Sequence, residues 1–253
     1  MALRIEASDR AQKVSRAKFL KPYGIANGTF TDTAIKDIIN QQAPGYNFDL
    51  AGNIHTTPSL LWDMADDPWA ACQTLAQNAG NILYFNQQGT VVMRPISNYS
   101  ADDVVWSFTS DESGSMGDVA TVYSTGGDSD GAVYNHVVVT GEPIKAQAQV
   151  RAEAFDNNPN SPTYYRGPFG DVPAFYSSNQ ITSSTQAQNT ADAMLNKYLG
   201  RYRSVNFGTV VNPALELGDI VSVDRSASGL NNFIGVVERL SIPLIASRNM
   251  DVT

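Results

Sequence analysis

The sharpest change of hydrophobic period lies in residues 66–96, DDPWAACQTLAQNAGNILYFNQQGTVVMRPI. Asp67 can cap a helix, with Pro68 at the first helical position, where its missing N–H costs nothing. Trp69, Cys72, Ala76 and Ala79 then fall on one face at helical spacing. Gly80 is suited to a left-handed stop. Beyond it the period drops to two. Residues 82–85 and 90–95 are β-prone runs flanking Asn86-Gln87-Gln88-Gly89, the pattern of a hairpin. A helix feeding a hairpin can bury one shared apolar face, and nothing in this stretch resembles catalytic chemistry.

The flanking pattern extends this unit. Residues 3–7 (LRIEA) alternate as a strand, and Ser8 or Asp9 can cap a helix through Ala17 with Ala11 and Val14 inward. A turn spans 25–28. Thr31 or Asp32 opens a second helix through Ile39 or Asn40, with Ala34, Ile35, Ile38 and Ile39 apolar, and Pro44-Gly45 breaks it. Residues 48–50 fit a short strand, and 52–64 fit a loop followed by a turn of helix. Residues 104–108 form another short strand. The small, polar run 109–118 (TSDESGSMGD) is the best place for a domain boundary. After it the texture is mostly β: strands at 119–123, 133–142 and 150–155, then 202–211, 215–224, 233–242 and 250–253. One helix interrupts them. Ser183 with Gln186 has capping-box spacing, and Ala187, Ala191, Met194, Leu195 and Tyr198 form one stripe. The expected class is α+β: a smaller α/β domain with helices and a hairpin over residues 1–110, and a β-rich domain over 111–253 with the helix 183–199 packed on it.

Residues 156–176 (DNNPNSPTYYRGPFGDVPAFY) read as one long loop. Connections of that length inside a domain are usually functional or covered by a partner. Tyr164, Tyr165, Phe169, Phe175 and Tyr176 are therefore candidate interface residues. A loop folded over its own core accounts for the same composition equally well.

Composition narrows the function. The chain has 253 residues, 42% hydrophobic and 17% charged, with net charge −8 and a pI near 4.7. An acidic balance argues against tight binding to the phosphate backbone. Lys13, Arg16, Lys18 and Lys21 make one local basic cluster, which a solvated helix face explains. The single cysteine excludes an internal disulfide framework and a multi-cysteine metal site. No apolar run approaches the roughly 20 residues of a membrane span, and the first ten residues lack a signal-peptide core. Synthesis in the cytoplasm is the expectation.

No catalytic constellation emerges. His136 lies mid-strand and His55 in a loop. Gly114-Ser115-Met116-Gly117 is no nucleophile elbow, because it lies in a polar linker. Cys72 lies on the buried face of its helix, where a free thiol acts as a small hydrophobe. The acidic pairs Asp66/Asp67, Asp102/Asp103 and Asp111/Glu112 lie in loops or at a cap. Asp128-Ser129-Asp130-Gly131 lacks the later ligands of an EF-hand, and no phosphate-binding loop exists. No catalytic, cofactor or metal residue is expected.

The order of these signals resembles the tail-tip or baseplate hub proteins of long-tailed bacteriophages, especially minor tail proteins of phages of actinobacteria. The resemblance runs through SDRAQKVSRAKFLKPYGIANGT, the helix at 31–40, DPWAACQTLAQNAGNILYFNQQGTVVMRP, YNHVVVTGEP, DNNPNSPTYYRGPFGDVPAFYSS, the alanine-rich helix and PALELGDIVSVD. It implies a non-enzymatic virion protein at the tail tip: a homotrimeric hub, built from β-barrel-like tube domains around a DNA channel. An α/β domain is inserted between two such barrels. Residues 119–253 would match the second tube domain and about 10–108 the inserted one. The first is largely missing, with residues 3–7 its last strand, so the natural chain is expected to be longer or another protein to supply that part. The implied partners are further copies of the chain, a distal tail ring, the tape measure and tip or fibre proteins, with DNA only in transit. A carbohydrate- or receptor-binding tip protein, with the aromatics of 156–176 as a sugar platform, is the alternative. A cell-wall hydrolase comes last.

Overall fold

The computed structural model describes residues 9–50, 55–96, 103–109, 118–126, 133–141, 150–200, 204–225, 230–243 and 249–253. The expected strand at 3–7 and the motifs at 111–117 and 128–131 lie outside them. The chain divides into two compact units. The first joins Met1–Ile96 with Tyr134–Lys197, and the second joins Ser97–Val133 with Tyr198–Thr253. This differs from the expected single boundary near residue 110. The β-prone segment 134–197 belongs with the helices and hairpin, and the second unit is assembled from two separated stretches.

In the first unit, helices α1 (Ala11–Ala17), α2 (Thr31–Gln42) and α3 (Pro68–Gln77) pack around one core. Ala34, Ile35, Ile38 and Ile39 of α2 are fully buried, the i, i+1, i+4, i+5 stripe read from the sequence. Trp69, Cys72 and Ala76 of α3 face the same core. Asp67 caps α3 as expected: its Oδ1 accepts N–H bonds from Trp69 at 2.9 Å and Ala70 at 3.2 Å. The hairpin follows as strands β4 (Asn81–Phe85) and β5 (Val91–Pro95), in antiparallel register Phe85↔Val91. Gly89 closes its turn at φ 77°. Strand β2 (Phe48–Leu50) adds to β5 in parallel.

The expected turn of helix before Trp62 is not there. Residues Leu60–Trp62 form strand β3, antiparallel to β1 (Tyr23–Ile25). The tertiary context decides this: Trp62 stacks with Phe19 and Tyr23, ring centroids 6.0 and 6.3 Å away, and stands opposite Tyr23 in the strand register.

Cys72 is fully buried, and desolvation pushes its thiol far above the ordinary range. The thiolate is the reactive form. The native protein is therefore expected to resist a thiol-reactive dye at pH 8 and to react fully after unfolding; rapid native labelling would contradict this packing.

The rest of the first unit is a three-stranded sheet in order β10-β8-β9 and helix α4. Strands β8 (His136–Gly141) and β9 (Arg151–Phe155) pair antiparallel. Strand β10 (Pro173–Ser178) lies parallel to β8 and takes in the last residues of the expected loop. Helix α4 (Ser184–Gly200) starts from Ser183, whose Oγ accepts the Gln186 N–H at 3.2 Å.

The second unit holds strands β6 (Trp106–Thr109), β7 (Asp118–Gly126), β11 (Ser204–Thr209), β12 (Ile220–Arg225), β13 (Leu230–Val236), β14 (Leu240–Ser241) and β15 (Met250–Val252). They form a seven-stranded sheet in order β13-β12-β6-β7-β11-β15-β14. Two neighbouring pairings, β12 with β6 and β6 with β7, are parallel. Phe108, Phe207, Val221, Val223, Leu230 and Met250 share its core. Among the described residues the sheet ends at β13 and β14 and does not close into a barrel. The overall class is mixed α+β.

Candidate interaction surface

The loop between β9 and β10 is held by a buried polar knot. Asn135, fully buried just before β8, donates its amide to the carbonyls of Thr163 at 2.9 Å and Gly170 at 2.6 Å. Its Oδ1 accepts the Val172 N–H at 2.7 Å. Asp156, also buried, accepts from the Thr163 hydroxyl at 2.6 Å and the Asn158 N–H at 3.2 Å. Both side chains use their hydrogen-bonding capacity on loop backbone or on the hydroxyl beside it. Buried polar groups satisfied in this way fix one conformation.

Aromatic packing completes the loop. His136 stacks on Phe155 with centroids 4.1 Å apart, Phe155 meets Tyr165 at 5.1 Å, and Tyr165 meets Tyr164 edge-on at 5.5 Å. Arg166 lies over the Tyr165 ring at 5.0 Å. The Nδ1 of His136 is 2.9 Å from Asp171, and its Nε2 is buried with no hydrogen-bond partner among the described residues.

The five aromatic candidates therefore take different places. Tyr164, Tyr165 and Phe169 are half-buried. Tyr176 points inward: its hydroxyl donates to Asn78 Oδ1 at 2.8 Å, and burial raises its pKa. Phe175 stands out, 77% exposed on an edge strand.

Tyr176 belongs to a second polar centre. Asn78, at the end of α3 and almost fully buried, donates its amide to Gln180 Oε1 at 2.7 Å. Its carbonyl accepts the Thr190 hydroxyl of α4 at 3.0 Å. One residue thus ties α3 to β10, to the turn after it and to α4. Gly80, two residues on, has φ +74°, and a Cβ there would come within 2.8 Å of the Asn189 carbonyl oxygen. Left-handed backbone and close approach both require glycine. Nearby, Asn189 Nδ2 donates to Nε2 of His55 at 3.0 Å, and burial holds the His55 pKa below its ordinary value. His55 thus lies in a loop, as expected, and is buried there as a structural residue. Asn78, Asn135, Asp156 and Thr163 did not stand out in the sequence; the only hint was the length of the loop they organise.

This surface has the means to present rigid side chains to a partner. Among the described residues no group of three or more His, Cys, Asp or Glu could hold a metal ion, and no helix is long and apolar enough to cross a membrane.

No family model and no curated protein matches this sequence. Solved structures do match it. A tail protein from Neisseria meningitidis MC58 aligns with TM-score 0.65 at 12% identity, over 96% of this chain and 71% of that one. The 43 kDa tail protein of prophage MuSo2 from Shewanella oneidensis aligns with TM-score 0.62 at 12% identity, over 96% and 70%. A chain in the virion of a native gene transfer agent particle aligns with TM-score 0.55 at 14% identity, over 89% and 46%. The chain therefore has the fold found in these tail and virion proteins.

Proposed function

We propose that this chain is a structural, non-enzymatic protein of a phage-type tail, located in the virion at the tail tip and made in the cytoplasm of the bacterial host. The observation that carries this reading is the fold likeness to tail proteins, one of them from a prophage, over 96% of the chain. In finer terms it is a homotrimeric baseplate hub, related to minor tail proteins of phages of actinobacteria, joining the tail tube to the distal tip. Its second unit is a tube domain that closes into a ring with neighbouring copies. The partners are further copies of the chain, a distal tail ring, the tape measure and tip or fibre proteins.

Two physical features support the hub. The ends of the seven-stranded sheet, β13 and β14, have no strand partner on their outer sides among the described residues, and open edges are normally covered or paired. A net charge of −8 suits a channel through which DNA passes without adhering. Phe175, rigid and exposed, is the natural anchor of a subunit boundary, since aromatic side chains dominate interface energetics. The test is the mass of the purified protein by light scattering, followed by cryo-electron microscopy of the particle. The expected result is a trimer in a threefold ring around an open channel. A monomer at micromolar concentration that binds glycan through Tyr164 and Tyr165 overturns the hub and leaves the receptor-binding tip.

A further inference from the structure

Within the first unit, residues 134–197 meet residues 9–96 along a polar seam. The apolar core around α1, α2 and α3 draws on residues 11–93. The ion pairs Lys18–Asp67 and Arg94–Asp49 lie on one side of the seam, and His136–Asp171 and Arg151–Glu153 on the other. Hydrogen bonds between uncharged groups cross it. The Tyr176 and Thr190 hydroxyls both reach Asn78, Asn78 reaches Gln180, and Asn189 Nδ2 donates to His55 Nε2 at 3.0 Å. Helix α4 is tied to its own sheet: Gln188 Nε2 donates to the Glu153 carbonyl of β9 at 3.1 Å, and Gln186 Nε2 to the Gln180 carbonyl at 3.2 Å. Polar interfaces between parts of one chain permit relative motion, unlike large apolar ones.

His55 is the member of this seam that can change charge near neutral pH. It is 6% exposed, and its carbonyl accepts the Thr31 N–H at 3.1 Å and the Thr31 hydroxyl at 3.2 Å, at the start of α2. A side-chain amide nitrogen only donates, so Nε2 accepts as a neutral imidazole nitrogen. A proton on Nε2 sets two donors face to face, and burial disfavours the charge as well. Of the charged groups on the adjoining helices, Asp32 of α2 receives the Thr33 N–H and Asp192 of α4 receives Gln188. Lys36, Asp37 and Lys197 lie more than one helical turn from Thr31 and Asn189. Burial holds the His55 pKa below its ordinary value. With the folded value lowered, the contribution of this bond to stability is fully present above about pH 6.5 and declines as the pH falls from there to the lowered value. Tyr176, the other titratable member, has its pKa raised by burial and remains a donor across this range. Asn189 stands at the exposed rim of the seam, where its amide turns to water once the imidazole is charged.

We infer that the seam is an acid-released hinge: protonation of His55 frees Asn189, and residues 134–197, carrying the exposed Phe175, then swing as one body on the helices. Asn78 supplies the part of the closure that does not depend on pH. The chain's other histidine, His136, lies within the moving body, beside Asp171 and Phe155. The device works within one chain and does not depend on the tail reading.

Spin-label distances test it. Labels are placed at Gln73→Cys on α3 and Asn157→Cys in the loop after β9, both exposed, while the native Cys72 is buried and stays unlabelled. The expected result is one narrow distance at about pH 7.5 and a second, longer population at about pH 5.5, across the interval in which histidine titrates. His55→Gln keeps an acceptor for Asn189 that takes no proton in this interval, and is expected to hold the single distance at both values. His136→Gln is expected to respond as the parent does. A single distance in the parent at both values overturns the hinge, and so does a second population that survives His55→Gln. An imidazole NMR titration of the parent decides the same question should the Gln variant not fold. An open population that follows the His55 resonance supports the hinge. One that follows His136, or appears only below about pH 4 where carboxylates titrate, overturns it.

Discussion

Replacing Asn78 with alanine is expected to destabilise the first unit by about 2–4 kcal/mol, because its side chain satisfies two partly buried polar groups at once. The Tyr176 hydroxyl donates to its Oδ1 at 2.8 Å, and Gln180 Oε1 accepts from its Nδ2 at 2.7 Å. Alanine leaves both without that partner and opens a small void at the end of α3. The backbone bond from Thr190 survives, since it uses the Asn78 carbonyl. The effect should therefore fall on the attachment of β10 more than on α4. The measurement is a urea titration read as a shift in midpoint at constant slope. Tyr176→Phe alone should cost less, about 1 kcal/mol, and the double variant should cost less than the sum, since the two residues share one bond. Additive losses would show that Tyr176 and Asn78 do not act together.

The same residue shows what the sequence could and could not reveal. Local grammar carries its own physics, so the α3 cap at Asp67, the burial of the α2 stripe and the hairpin register are all legible from residues within a turn or two of one another. Residues 134–197 are harder. The periods of β8, β9 and α4 read correctly, but period says nothing about which sheet a strand joins. Their placement in the first unit depends on bonds such as Asn78–Tyr176 and Asn78–Thr190, between residues about 100 positions apart. Strand β3 failed for a related reason: Leu60-Leu61-Trp62 is short and apolar, and such runs do not distinguish strand from helix until Phe19 and Tyr23 are brought beside Trp62. The aromatic loop was visible as composition. Its division into an inward Tyr176 and an outward Phe175 follows from strand alternation, which became readable once β10 was known to begin at Pro173.

Asp67 carries the other large effect, with a signature in pH. Its carboxylate caps α3 through two backbone N–H groups and reaches α1 through the Ser15 hydroxyl and Lys18. Burial pushes its pKa up, but the bonds from Ser15, Ala70 and Lys18 outweigh burial and hold it below the ordinary 3.8. A carboxylate with a lowered folded-state pKa adds stability that is fully present above about pH 3.8. That stability is lost as the pH falls through the lowered value, where the folded state too becomes protonated. Asp67→Ala is expected to cost about 2–3 kcal/mol at pH 7, roughly 1 from the cap and the remainder from the bridge between helices. Asp67→Asn keeps an oxygen for the Trp69 and Ala70 N–H groups but loses the charge. It should therefore cost less at neutral pH and show a flatter decline in stability between pH 5 and pH 2 than the wild type, in the range where a carboxylate titrates. Urea midpoints across that range decide the matter. An Asn variant whose acid limb runs parallel to the wild type would mean that Asp67 is held by its shape alone, and that the contact between α1 and α3 owes nothing to its charge.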